Sequence, residues 1–213
     1  MSAATPAPGW TRLLAAAVAH DINNLAHGLL VAPVAEACLE QMRKLGARLR
    51  ALAAAADTEA SARLDDACAD ALAEVDPIRD QVLRAMPIPA DLRVRAPAAA
   101  LRTAIACLLE HAAAASPSAS AIGLAVRQAQ VPSPEVVVEI SSREASGLGE
   151  LHMERLDVLL GTTLRDLRGD LSLVLAGAIA DALGGAVHVA SSAKDGLLLA
   201  LRLVAAPAAI RPV

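Results

Sequence analysis

The stretch WTRLLAAAVAHDINNLAHGLLV, residues 10–31, decides how this chain begins to fold. Leu14, Val18, Ile22, Leu25 and Leu29 recur at steps of four and three, the spacing of one helical face. Pro33 lacks the amide hydrogen an inner helical turn needs, so the helix ends or kinks there. Val34, Cys38, Met42, Leu45, Leu49 and Leu52 then set out a second apolar stripe. Two amphipathic helices with almost no connector predict an antiparallel hairpin. A pair of helices cannot bury both stripes alone. A second copy completing a four-helix bundle, and hence a homodimer, is the expected arrangement.

At about 100° per residue the first stripe centres on Val18. His20 and His27 then fall roughly opposite it, with Asn24 close beside them. An imidazole on the outer face is open to in-line approach by a protein partner, as a phosphoacceptor must be. Asp21 can hold one ring nitrogen protonated and leave the other as nucleophile. Asn24, one turn on, can hydrogen-bond a water at the same place. His20, Asp21 and Asn24 are therefore the candidate catalytic residues. A lone exposed helical histidine is more often only solvated. The case for chemistry rests on the whole run His20-Asp21-Ile22-Asn23-Asn24 on a hairpin helix. His27 has no such company and reads as a surface residue. A metal site joining His20 to His27 would span two turns with no third ligand in view.

Beyond the hairpin the pattern alternates in type. Helical signals cover 62–73, 77–86, 98–115 and 171–183, with a further short helix in a loop at 144–168. Strand signals cover 92–95, 121–127, 136–142, 186–191 and 197–204. Pro97 marks a helix start, Gly184-Gly185 a helix end, and Lys194-Asp195-Gly196 a turn between the last two strands. Helices on one face of a mixed sheet make an α+β sandwich. The expected division is a tail at 1–9, the hairpin at 10–56, the sandwich at 57–206 and a tail at 207–213.

Of the 213 residues, 55% are hydrophobic and 20% charged, so the sequence is one that folds. There is no Phe or Tyr and one Trp, which argues against nucleic-acid binding by base stacking. A net charge of -4 gives no support for a nucleic-acid or anionic-membrane surface. Cys38, Cys68 and Cys107 stand far apart and read as small buried residues in a reducing compartment. The first residues lack a signal peptide's basic and apolar segments, and apolar runs stop short of membrane-spanning length. A cytoplasmic location is expected.

The segment Ala19-His20-Asp21-Ile22-Asn23-Asn24-Leu25 resembles the H-box of sensor histidine kinases, with His20 as the phosphorylated residue. Asn24 matches the position whose Asn or Thr supports phosphatase activity in that family. Residues 104–112, AIACLLEHA, resemble its N-box helix, and 178–189 resemble the helix-Gly-Gly-strand close of its ATPase domain. The nucleotide motifs depart from the pattern. Cys107 and His111 replace the two N-box asparagines, the second of which would coordinate Mg²⁺. Ser141-Ser142-Arg143-Glu144 stands where Asp-x-Gly-x-Gly is expected, and Asp170-Leu171-Ser172-Leu173 replaces the last Gly-x-Gly. Backbone without those glycines cannot approach phosphates closely. The loop Ser146-Gly147-Leu148-Gly149 reads as a turn, Glu110 as structural, and Arg165 and Arg168 as a solvated helix face.

A kept phosphoacceptor with lost ATP motifs resembles the dimeric histidine phosphotransferases, of the ChpT type and the sporulation-phosphorelay type. That resemblance implies a dimeric hairpin bundle followed by a degenerate Bergerat, or HATPase-like, α/β sandwich. It implies phosphoryl exchange between His20 and aspartates of response-regulator receiver domains, with a hybrid kinase as a possible donor. No intrinsic cofactor is implied: no ATP, and Mg²⁺ only on the receiver. Two other readings stand beside it. One is a receiver phosphatase acting through Asn24; the other is a non-catalytic adaptor that binds a regulator or kinase.

Overall fold

The computed structural model describes residues 8–29, 35–57, 59–75, 82–84, 87–115, 122–129, 134–142, 154–156, 171–192 and 196–207. Two long helices come first, α1 (Pro8–Leu29) and α2 (Ala35–Ala54), and they pack on one another as a hairpin. A two-residue strand β1 (Ala62–Arg63) leads into α3 (Leu64–Glu74), whose first turn carries Asp65 and Asp66 against the positive end of the helix dipole. Next come β2 (Val82–Arg84), β3 (Arg93–Val94) and α4 (Ala98–Ala115). Strands β4 (Ile122–Ala129), β5 (Glu135–Ser142) and β6 (Glu154–Arg155) precede α5 (Leu171–Ala182), and β7 (Ala186–Ser192) and β8 (Gly196–Val204) close the fold.

The main sheet runs β2-β4-β5-β8-β7-β6, with β2 parallel to β4 and every other pair antiparallel. Strand β5 alternates as its period of two requires: Val136, Val138 and Ile140 are buried while Glu135, Val137 and Glu139 are half-buried on the other face. Opposite them Leu203, Leu201 and Leu199 of β8 complete the inner layer. Helices α4 and α5 lie on that layer and on each other. Helix α4 is long and apolar enough to cross a membrane, but it serves as the buried core helix between α3, α5 and the sheet. The helix end read at Gly184-Gly185 is present: Gly184 has φ 72°, and Gly185 N–H donates to the Ala180 carbonyl at 2.8 Å.

The architecture is the expected α+β one, a helical hairpin followed by a HATPase-like sandwich. Three details differ. Residues 82–84 form an edge strand of the sheet instead of part of a helix, since pairing with Ile122–Leu124 satisfies their backbone. Glu154 and Arg155 pair with β7, so that part of the expected loop and short helix is sheet. Ala62 and Arg63 pair with β3 before α3 begins. Apart from 154–156, residues 143–170, with Asp170, Arg165, Arg168 and the Ser146–Gly149 stretch, lie outside the described residues.

The hairpin does not leave its stripes to a partner alone. Both α1 and α2 pack on α5, and α2 also packs on α4. Trp10 is 4% exposed, and a Cβ on Gly177 of α5 would stand 2.1 Å from its ring. The glycine is therefore the socket for the chain's one aromatic residue. This shifts the buried side of α1 from Val18 toward Trp10 and Ala17, with Leu14, Val18 and Leu25 half-buried and Ile22 exposed.

Candidate functional site

His20 sits in the middle of α1 and is exposed, as its place on the helical wheel requires. Its Nε2 accepts a hydrogen bond from the Nδ2 of Asn24, one turn on, at 3.1 Å. With Nε2 as acceptor, the neutral ring carries its proton on Nδ1. His27 is also exposed, and its Nδ1 donates to the Asn23 carbonyl at 2.7 Å. It is a helix-surface residue with a local partner. Among the described residues no cluster of three His, Cys, Asp or Glu side chains is placed to hold a metal.

Asn24 and Asp21 share a second surface. With Leu25 of α1, Gln41, Lys44, Leu45 and Arg48 of α2 and Leu171 of α5, they line a cleft of about 250 Å³ between hairpin and sandwich. The structure thus brings the three sequence-derived residues to one spot: His20 on the open side, Asn24 between, and Asp21 toward the cleft.

Beneath the cleft lies a charged cluster that joins four helices. Glu110 of α4 accepts from Lys44 through Oε1 at 2.5 Å, and pairs with Arg48 through Oε2 at 2.6 Å. Ser172 of α5 donates its hydroxyl to the same Oε2 at 3.1 Å. Arg48 also reaches Ser172 at 3.4 Å and Glu74 of α3 at 4.0 Å, and Glu74 faces Arg102 at 3.5 Å. The Arg48 side chain is only 9% exposed. Burial by itself raises the Glu110 pKa, but the charge of Arg48 and the Lys44 hydrogen bond outweigh it and hold the carboxyl below its ordinary range. Removing Glu110 would strand the buried Arg48 charge, at a cost of roughly 3–5 kcal/mol.

Cys107 and His111, the two residues that the resemblance sets against N-box asparagines, are sealed beneath this layer. Cys107 is fully buried, with its thiol pushed up to about 12 by that burial, so it stays neutral and inert. His111 is 8% exposed. Ser141 and Ser142 end β5 as buried residues, and Ser142 accepts from the Leu197 amide at 3.0 Å. Cys68 is buried as expected, whereas Cys38 is half-buried on α2; all three cysteines are free.

Lys44, Arg48 and Glu110 form a site that helical periodicity alone does not single out. Its one sequence signal is the presence of charged residues at the inward edge of an apolar stripe, where they need partners.

No family model and no curated protein matches the sequence. Solved structures do match the fold. The mycobacterial sensor histidine kinase MprB is 18% identical with a TM-score of 0.50, covering 70% of this chain and 99% of its own. The Acinetobacter baumannii histidine kinase AdeS is 15% identical with a TM-score of 0.53, covering 86% and 94%. A histidine kinase from Burkholderia phymatum is 15% identical with a TM-score of 0.52, covering 92% and 93%. Those last shares are too large to leave the hairpin out. The chain therefore has the fold of a histidine kinase core, hairpin and ATPase-like domain together.

Proposed function

We propose that this protein is a histidine phosphotransferase of a two-component phosphorelay, working as a cytosolic homodimer without ATP. The observation that carries the reading is the exposed His20 imidazole with Asn24 at 3.1 Å on Nε2. That contact keeps a lone pair, not a proton, on the nitrogen that faces a partner. A receiver domain would present its aspartyl phosphate with bound Mg²⁺ neutralising the phosphate oxygens. Nε2 attacks phosphorus in line; the acyl-phosphate O–P bond breaks, and the aspartate leaves as carboxylate with the electron pair. The Nδ1 proton passes to water, leaving a neutral ring bearing a dianionic phosphoryl group. Asp21, adjacent in the chain, stabilises the imidazolium charge while it lasts. Transfer to a second receiver runs the same steps backward.

Three features favour exchange between proteins over autophosphorylation. The N-box positions are Cys107 and His111, both buried. The hairpin's Arg48 and Lys44 lie over the adjoining Glu110. The glycine motifs are missing where the resemblance places them, at 141–144 and 170–173.

The test is phosphotransfer from a panel of ³²P-labelled receiver domains. Label is expected on wild type and none on His20→Gln, with no labelling from ATP. Label on both proteins alike, or on neither, refutes the proposal. Phosphate release that survives in His20→Gln but is lost in Asn24→Ala would instead favour the phosphatase reading. Receiver binding without any phosphoryl movement would favour the adaptor.

A further inference from the structure

From the cleft beside His20 we infer that Lys44 is a phosphoryl-binding residue, the cation that holds the phosphate while it resides on His20. This rests on His20 being a phosphoacceptor. Lys44 stands nine residues after the start of α2 at Ala35, and His20 nine before the end of α1 at Leu29. In an antiparallel hairpin the two are level, each about 14 Å from the connecting end at 1.5 Å per residue. Asn24 bridges them: its amide is on His20 Nε2, and it lines the same cleft as Lys44, Gln41 and Arg48. A phosphoryl group bonded to Nε2 takes the place of that amide contact and extends along Asn24 toward the mouth of the cleft.

The resting partner of Lys44 is replaceable. Glu110 is also held by Arg48 at 2.6 Å and by the Ser172 hydroxyl at 3.1 Å, so it stays satisfied when Lys44 turns away. Arg48 is 9% exposed and fixed in that cluster, whereas the Lys44 side chain is 28% exposed on a flexible stem. A dianionic phosphoryl outcompetes half of an already shared carboxylate. Of the two cations on the cleft, Lys44 is the one free to move. Asp21, on the same wall, sets a limit on how far an anion can enter.

The experiment uses the intact protein and phosphoramidate, a small chemical donor that phosphorylates histidine without any receiver. The half-life of phospho-His20 is followed by ³¹P NMR, with His20→Gln subtracting label on other histidines. A partly exposed ion pair predicts a roughly fivefold shorter half-life for Lys44→Gln, with most of it recovered in Lys44→Arg. Trp10 emission should stay the same in wild type, Lys44→Gln and Lys44→Arg, since the hairpin remains docked. Equal half-lives in wild type and Lys44→Gln overturn the proposal. So does an unlabelled wild-type His20, or a Lys44→Arg no better than Lys44→Gln with a shifted Trp10 emission. A Lys44-dependent half-life in a protein that exchanges with no receiver would leave this assignment standing and remove the relay.

Discussion

Asn24 makes one contact that sets the chemistry of its neighbour. Free imidazole favours the tautomer with its proton on Nε2, and the 3.1 Å bond from Asn24 reverses that preference by donating to Nε2. In Asn24→Ala the proton should return to Nε2, which ¹⁵N chemical shifts of the labelled ring would register directly. The same variant should accept phosphoryl groups several-fold more slowly, because the nitrogen proposed as nucleophile is then protonated in most molecules. An unchanged tautomer in Asn24→Ala would refute this role. Residues at this scale divide cleanly in how readable they were. His20 and Asn24 lie one turn apart, so the helical period alone puts them together. Lys44 and Arg48 meet Glu110 more than sixty residues away, and Ser172 meets it from a third helix. No local pattern encodes those pairings; they exist only once α2, α4 and α5 are packed.

At the scale of elements, the docking of α1 on α5 depends on one glycine. A single methyl at Gly177 would stand 2.1 Å from the Trp10 ring, well inside contact distance. Gly177→Ala should therefore expel the ring, shift its emission to the red and cost about 1–3 kcal/mol, the usual range for overpacking a core. Trp10 is the one tryptophan in a chain without Tyr or Phe, so intrinsic fluorescence and a thermal melt read the change without a label. Emission and melting temperature equal to wild type would show that α1 does not dock there. Periodicity found both hairpin helices and the close at Gly184-Gly185, since each is a local matter of stripe and cap. It misplaced the buried side of α1 because part of the stripe, centred on Val18, faces solvent, while Ala17 packs inward despite its small size. The edge strand Val82–Arg84 was likewise invisible, since a three-residue strand owes its form to the neighbour at Ile122–Leu124.

For the whole molecule, the apolar surface left after docking is organised and not scattered. On α1 the exposed Ala15, Ala19, Ile22 and Ala26 follow steps of four, three and four. On α2 the exposed Leu39, Met42 and Ala53 share one face with the half-buried Gly46 and Leu49, at steps of three, four, three and four, and Leu49 also packs on the core. Alternating threes and fours are the seam of a coiled-coil bundle, and the small residues on α1 suit close helix approach. Ile22, Leu39 and Met42 remain 47%, 48% and 39% exposed on one chain, and they are the exposed large hydrophobic residues among those described. In the proposed homodimer a second copy of the hairpin, adding two such helices, would cover them in a four-helix bundle. His20 lies roughly 130° around α1 from the centre of that seam at about 100° per residue, so the proposed dimer would leave it open. The double variant Ile22→Glu, Met42→Glu places like charges on facing seams and should run at the monomer mass in light scattering, where wild type runs at twice that mass. Because the seam and the His20–Asn24 pair lie on different faces, the monomeric variant should still take label from phosphoramidate at His20. A wild-type protein that is monomeric at micromolar concentration would refute the seam. A dimer untouched by both charges would put the contact on another face of the molecule.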